Sequence, residues 1–434
     1  MVLCPRFDKI VEMRIKLAYG KTGLPLELDD ALNVTVVEPT FVPALPDPAA
    51  SVRAALEAPT GSPPLRELVR PGMRVGVIFS DITRPAPNPL LLAAVLEVLD
   101  AVPSVDVTLF NALGTHRPNT EAELRTMLGD AIFERRRIVQ NNTFEPATQV
   151  RVGVTSKGHE TWLNAELMRC DLKVLTGFIE PHLFAGFSGG GKAIMPGMAG
   201  QRTVLGNHDA GMVGHPKAIW GVTQGNPIWE EVREVAGQAG RLFLLNVTLN
   251  RDKAVTGVFA GDLDRAHAAG CAFVKRSAMV PVDRPFDIVV TTNSGYPLDI
   301  NLYQSVKGMR AADQVVRPGG AIIIATSCWD GVPEHGLYGR ILRESRDPRE
   351  LLEKICAPGF LEQDQWQAHV QALIQQKAEI SVRSDGLTDD QIRAALLQPC
   401  RRIEDTIAGL LTKYGRGASI CVMPEGPQTI PYIA

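Results

Sequence analysis

The chain has 434 residues, with 45 basic and 48 acidic side chains for a net charge of −3. At roughly 150 residues per domain this is room for two or three domains. Hydrophobic residues at 45% and charged residues at 21% exclude a disordered chain, 39 Gly and 31 Pro without a triplet period exclude a collagen-like one, and the lack of a basic tail argues against nucleic acid as a partner.

In chain order, Arg6, Asp8 and Lys9 interrupt the N-terminal apolar residues, so no signal-peptide core is expected. No apolar run approaches the roughly 18 residues of a membrane span, so no membrane partner is expected. Residues 12–29 read as a hairpin turning at Gly20–Gly23, and 51–58 as a short helix. An α/β rhythm follows: a buried strand at 74–79, a helix at 88–102, a strand at 105–110, and a Thr120–Glu123 capping box opening the next helix. Further strands are expected at 172–176 and 242–247, with a helix at 230–239 between them. After the Pro-containing stretch 280–285 come a strand at 286–292, a helix at 301–315, a strand at 319–326, helical structure over 347–376 and a late strand at 418–423. The expected fold class is α/β: two α/β domains with mostly parallel sheets flanked by helices and the active site in the interdomain cleft. The first domain is taken as residues 1–275, the second as 280–410, with the C-terminal strand (about 411–434) returning to the first. The cysteines (Cys4, Cys170, Cys271, Cys328, Cys356, Cys400 and Cys421) are odd in number and lack a Cys-x-x-Cys spacing. Neither a disulfide framework nor a thiolate zinc site is indicated, and a reduced, cytoplasmic location is expected.

Most polar clusters fall on loops after strands, where open α/β sheets bind ligands. The loudest is Ala185–Ala193, reading AGFSGGGKA. Gly186–Lys192 fits the letters of a phosphate-binding Gly-x4-Gly-Lys loop. Against this, Ala193 stands where Mg²⁺ needs a hydroxyl, the strand ends ten residues upstream, and Pro196 interrupts the following helix. Gly186–Gly190 also fits the Gly-x-Ser-x-Gly nucleophile elbow around Ser188, without the strand and helix an elbow needs. A tight turn is the plain reading of the glycines, and Lys192 could instead be a nucleophile that bonds covalently to a cofactor.

Of eight His, three sit in Gly/Pro-rich loops: His116, His182 and His208. Imidazole suits both proton exchange near neutral pH and ligation of Zn, Cu, Fe or Ni. One His per metal is too few for an all-protein site, so a cofactor would have to supply the remaining ligands. His159, His215, His267, His335 and His369 are read as surface residues. After the strand at 74–79, Asp81 could accept from a ribose hydroxyl and Arg84 could clamp a carboxylate or phosphate. Gln304 and Lys307 share one face of the helix that Tyr303 opens. No paired carboxylates or His-Glu-x-x-His helix suggest a hydrolase.

These segments together (Ser80–Pro85, Gly114–Pro118, Pro181–Lys192, Gly206–His208 and Tyr303–Lys307) resemble, in order and spacing, the nickel-pincer-nucleotide lactate racemase family. The resemblance implies a racemase or epimerase of a small 2-hydroxy acid, lactate or a related 2-hydroxycarboxylate, working by hydride transfer. It implies nickel held in a pyridinium-3-thioamide-5-thiocarboxylic acid mononucleotide attached covalently to Lys192, with His208 as the protein's nickel ligand. His116 and His182 become the catalytic acid/bases. Arg84, Gln304 and Lys307 orient substrate or cofactor, and Tyr303 lines the pocket. Asp81 and the backbone of Gly186, Phe187, Ser188, Gly189, Gly190 and Gly191 contact the nucleotide, and Trp366 is a candidate pocket tryptophan. Cofactor-maturation proteins are expected as transient partners. The rival readings are a P-loop-like phosphotransferase and a non-catalytic carrier of the nickel nucleotide.

Overall fold

The computed structural model describes residues 12–333 and 336–434. Cys4, Arg6, Asp8, Lys9 and His335, which entered the sequence reading, lie outside the described residues. Two compact units emerge: Phe41–Ser277, and residues 12–40 together with Ala278–Ala434. As expected, each is an α/β unit with a mostly parallel sheet flanked by helices.

The second of these units begins with the N-terminal hairpin, β1 (Glu12–Leu17) antiparallel to β2 (Leu24–Asp29), followed by β3 (Asn33–Val36). The chain then builds the Phe41–Ser277 unit from β4 (Arg74–Ser80), β5 (Asp106–Ala112), β6 (Arg137–Gln140), a side hairpin of β7 (Gln149–Val154) and β8 (Glu160–Asn164), β9 (Leu172–Phe178), a two-residue ladder of β10 (Pro181–His182) with β11 (Gly186–Phe187), then β12 (Leu242–Leu249) and β13 (Val255–Gly261). Its six-stranded sheet has the order β13-β12-β9-β4-β5-β6, with only β13 antiparallel to its neighbour. Val75 to Phe79 of β4 are buried without a break, which is why this strand reads as a continuous apolar run rather than an alternation. Helices Pro48–Glu57 and Asn88–Asp100 cover one face, burying Val52, Leu56, Leu91, Leu92 and Leu99 against Val77, Phe79, Leu109 and Phe243. From β4 the chain moves to β5 and β6 on one side, then reappears as β9 and β12 on the other. The carboxyl ends of β4, β5 and β9 therefore flank a point where the winding reverses, the place where such sheets leave room for a ligand.

The remaining strands are β14 (Met279–Val282), β15 (Phe286–Thr292), β16 (Val316–Ala325), β17 (Ala378–Arg383), β18 (Gln398–Pro399), β19 (Ser419–Val422) and β20 (Ile430–Ile433). Five of them join β3 in an all-parallel sheet in the order β18-β17-β16-β15-β19-β3, and β20 pairs with β14. The hairpin β1–β2 covers one face of this sheet, Leu17, Leu26 and Leu28 packing with Ile288, Val290, Ile323 and Ile420.

Three expectations are corrected. The C-terminal strand does not return to the first domain. β19 is buried at every residue and needs a partner on each side, and it finds β15 and β3. For the same reason residues 12–40, expected within the first domain, belong with the second sheet. The helical stretch 347–376 is two helices, Pro348–Ile355 and Gln365–Lys377. Pro358 and Gly359 break it, and Asp364 enters the second helix with a left-handed φ of 65°. Among the described residues no helix is long and apolar enough to cross a membrane.

Candidate active site

The loop leaving β4 carries Asp81, which is 3% exposed. Its Oδ2 lies 2.5 Å from Nδ1 of His116, on the loop leaving the neighbouring β5, and its Oδ1 accepts from Thr83 Oγ1 at 2.8 Å. Burial opposes the charge on Asp81, but His116, Arg84 and Thr83 outweigh it and hold the carboxyl below its ordinary value. The ionised carboxylate can only accept, so the His116 Nδ1 donates, which in a neutral ring places the lone pair on Nε2. The His116 side chain is about one-third exposed. The His116 loop is tied to the segment after Lys192, since Gly114 N–H donates to Gly197 C=O at 3.1 Å.

After β9 the chain makes the short β10–β11 ladder, and three expected groups meet one ring there. Phe184 packs edge-on against His182, centroids 4.8 Å apart, and against His208 at 5.1 Å, while Lys192 Nζ lies 5.9 Å from its centre. His182 Nδ1 faces the Ala185 N–H at 3.2 Å, and its Nε2 faces Lys192 Nζ at 3.5 Å. His208 caps the C-terminus of helix Gln201–Asn207 and is 5% exposed. Burial first, and the nearby Lys192 cation second, push its imidazole down to about 3. A neutral, buried imidazole is the form that binds a metal. Among the described residues no group of three or more His, Cys, Asp or Glu is assembled to hold a metal ion, so a metal at His208 would draw its other donors from a bound group.

The glycine-rich loop is packed rather than open. The N–H groups of Phe187, Ser188, Lys192 and Ile194 donate to backbone carbonyls, and Gly190 N–H donates to Asn246 Oδ1 at 2.8 Å. Gly190 to Ala193 form a short 3-10 turn in place of the α-helix that follows a phosphate-binding loop. Ser188 Oγ donates to Phe178 C=O at 3.1 Å and accepts the Glu180 N–H at 2.9 Å. These contacts agree with the sequence context that spoke against an elbow nucleophile and a P-loop: the Ser188 hydroxyl and the N–H groups of Phe187, Ser188, Gly190, Lys192 and Ile194 are engaged in holding the loop. Beneath it lies His267, expected at the surface but 3% exposed. Its ring stacks on Trp229 at 4.6 Å, and Nε2 donates to Ser188 C=O at 2.8 Å. Nδ1 is then left to accept from the Cys271 thiol, 3.3 Å away. The ring occupies the space a side chain at residue 190 would need, a Cβ there lying 2.7 Å from His267 Cδ2, and Gly190 adopts a φ of 57°. His369 is likewise buried rather than exposed, within helix Gln365–Lys377. Phe184, Asn246 and His267 are the residues the sequence reading missed. Only Phe184 carried a signal, lying between two motif residues.

In the other unit, helix Leu302–Asp313 starts at Asn301, whose side chain accepts the Gln304 N–H at 3.1 Å. Tyr303, Gln304 and Lys307 lie half-buried near its N-terminus, at the carboxyl edge of β15. Trp366 Nε1 donates to Tyr303 Oη at 2.9 Å, and Gln367 donates to the Tyr303 carbonyl at 2.7 Å. Trp366 therefore acts on Tyr303 directly.

The chain matches two family models, the lactate racemase N-terminal domain over residues 19–221 and the lactate racemase C-terminal domain over 282–430. It is 33% identical over 431 residues to a lactate racemase of Thermoanaerobacterium thermosaccharolyticum, covering 96% of this chain and 98% of that protein. It is 34% identical over 419 residues to a lactate racemase of Lactiplantibacillus plantarum, covering 95% and 98% respectively. The solved lactate racemase apoprotein from T. thermosaccharolyticum superposes with a TM-score of 0.91 at 33% identity, over 96% of this chain and 100% of that one. A Thermotoga maritima protein shares the fold with a TM-score of 0.68 at 20% identity, over 89% and 98%.

Two outcomes test this account. Burial pushes the His267 imidazole down to about 4, below the roughly 6.5 of an unfolded histidine. Stability from this residue is thus present above pH ~6.5 and is lost as pH falls toward 4. Wild type should lose about 2 kcal/mol relative to His267→Gln between pH 6.5 and 5, read by urea unfolding; a constant difference would show that His267 is not held neutral. Ser188→Ala should cost about 1–3 kcal/mol, because two backbone groups lose their partner. Wild-type Ser188 should remain unlabelled by a serine-directed fluorophosphonate in peptide mass spectra, and labelling would restore the nucleophile reading.

Proposed function

The chain belongs to the lactate racemase family and is an isomerase, and from that premise we propose that it inverts the hydroxyl-bearing carbon of a small 2-hydroxy acid such as lactate, using nickel in a pincer nucleotide joined to Lys192. The observation that carries this reading is the gathering of Lys192, His182 and His208 around Phe184. The donor set fits the group: His208 offers a neutral nitrogen to nickel, and Lys192 offers an amine for covalent attachment.

Inversion by removing the α-proton is hard, because the adjacent carboxylate destabilises a carbanion. When bound, the nucleotide supplies an electron-poor ring–nickel unit that can take hydride from the substrate carbon and return it. The chain's own residues do the rest. His116 accepts the hydroxyl proton at Nε2, and Asp81 keeps that lone pair exposed by holding Nδ1–H. Asp81 is spent on His116 and Thr83, so its part is to orient the base rather than to grip a ribose. His182 serves the opposite substrate orientation, which explains the need for a pair. Arg84, Gln304 and Lys307 orient the substrate carboxylate or the cofactor, and Tyr303 lines the pocket. The Gly186–Gly191 loop fixes the base of Lys192. Transient maturation partners and a cytoplasmic location belong to the same proposal.

The test is peptide mass spectrometry on protein produced with nickel and a cofactor-maturation system. A nucleotide-sized adduct is expected on Lys192 and none on Lys192→Ala. Replacing His116 or His182 by Ala should cut lactate racemisation about 10²–10⁴-fold with bound nickel unchanged. An active protein with unmodified Lys192 would overturn the cofactor assignment, and activity that survives both single replacements would overturn the paired bases.

A further inference from the structure

We propose that the ion pair of His159 and Glu231 is a positioning device for His208, acting through the residues on either side of it. The inference rests on the reading of His208 as the nickel ligand. Between them, Glu231 and His159 are tied to the residues on either side of His208.

Glu231, on helix Pro227–Gln238, is a carboxylate only 2% exposed. Its Oε1 accepts from His159 Nδ1 at 2.8 Å and from Thr155 Oγ1 at 2.5 Å. Its Oε2 accepts from Asn207 Nδ2 at 2.8 Å, directly before His208. His159 Nε2 faces Asp209 Oδ2 at 3.7 Å, directly after it. Asp209 is itself fixed as the cap of the next short helix, accepting the Met212 N–H at 2.8 Å. One residue further back, the His159 ring fills the space beside Gly206, where a Cβ would lie 2.8 Å from Cγ. Residues 206, 207 and 209 are thus all held by one pair, while the His208 ring packs against Phe184.

The position needs such an anchor. His208 ends a seven-residue helix with a non-helical ψ of 24°, and helix ends fray. A metal ligand must keep its ring in one orientation, and the partners that orient ligands typically matter 10–100-fold to metal affinity. Here the orientation comes through the backbone, with the β7–β8 hairpin supplying His159 and the helix supplying Glu231.

The experiment compares wild type, His159→Ala, His159→Gln and, as a stability control, Val95→Ala in the core of helix Asn88–Asp100. Protein is loaded as above, the Lys192 adduct is quantified by mass, and nickel loss to excess EDTA is followed. His159→Ala should release nickel 10–100-fold faster at equal adduct, and His159→Gln, which can still donate to Glu231, should recover part of the difference. Val95→Ala, matched in thermal midpoint, should release nickel at the wild-type rate. In the apoprotein, the ¹³C-labelled His208 ring resonance should broaden or split in His159→Ala alone. Nickel release within twofold of wild type, an unaltered His208 resonance, or equal acceleration in Val95→Ala would each overturn the positioning role while leaving the parent reading intact. Wild-type protein that takes up neither adduct nor nickel would overturn the parent reading instead.

Discussion

Desolvation of imidazole is the constraint around which the Phe41–Ser277 unit is arranged. Burial strips the charge from an imidazole unless carboxylates hydrogen-bonded to the ring outweigh it. Both outcomes occur close together. His208 and His267 are held neutral, at about 3 and about 4, chiefly by burial. His159, between Asp209 and Glu231, is raised to about 9 and stays charged. The neutral rings can ligate or accept with a defined tautomer, and the charged one can anchor. Within one unit, the same chemistry thus leaves His208 and His267 neutral and His159 charged.

Much of this architecture was legible in the sequence because it rests on local pattern. Val75–Phe79 and Phe286–Thr292 read as buried strands, since a strand covered on both faces needs no polar alternation. The capping box at Thr120 needs only residues three apart, and both of its bonds are present. The motif residues Asp81, His116, His182, Lys192 and His208 stood on loops after such strands. What stayed hidden depends on partners far away in the chain. His267 reads as an exposed helical residue until Ser188 accepts from it 79 positions away. Glu231 reads as a solvated acid until Asn207, Thr155 and His159 surround it. Ser419–Val422 announced a central strand, but four residues hold no information about which sheet will take them.

The glycine-rich loop illustrates how one composition serves opposite ends. In a phosphate-binding loop, glycines free the backbone amides so that they can turn toward an anion. Here they remove side chains so that His267, Asn246 and the β9 backbone can close against the loop, and the amides of Phe187, Ser188, Gly190 and Lys192 are engaged within the protein. The two cases share letters and differ in where the N–H groups go. The discriminating features in the sequence were the distance from the preceding strand and Pro196, since both concern what the backbone does next rather than which residues it contains.

Rigidity of the same kind governs the other unit. Tyr303 is a half-buried residue of helix Leu302–Asp313 whose hydroxyl oxygen accepts from Trp366 and whose carbonyl accepts from Gln367. An indole N–H can only donate, so the Tyr303 oxygen is the acceptor and its own hydrogen must be directed elsewhere. Helix Gln365–Lys377 makes this possible by burying Gln365, Gln367 and Gln371, a polar face that would be costly unless satisfied. Gln371 meets that condition by donating to Ala395 C=O at 2.8 Å and accepting from Tyr338 Oη. The buried helix thus holds its amides satisfied, and Trp366 at its start makes the Tyr303 oxygen an acceptor.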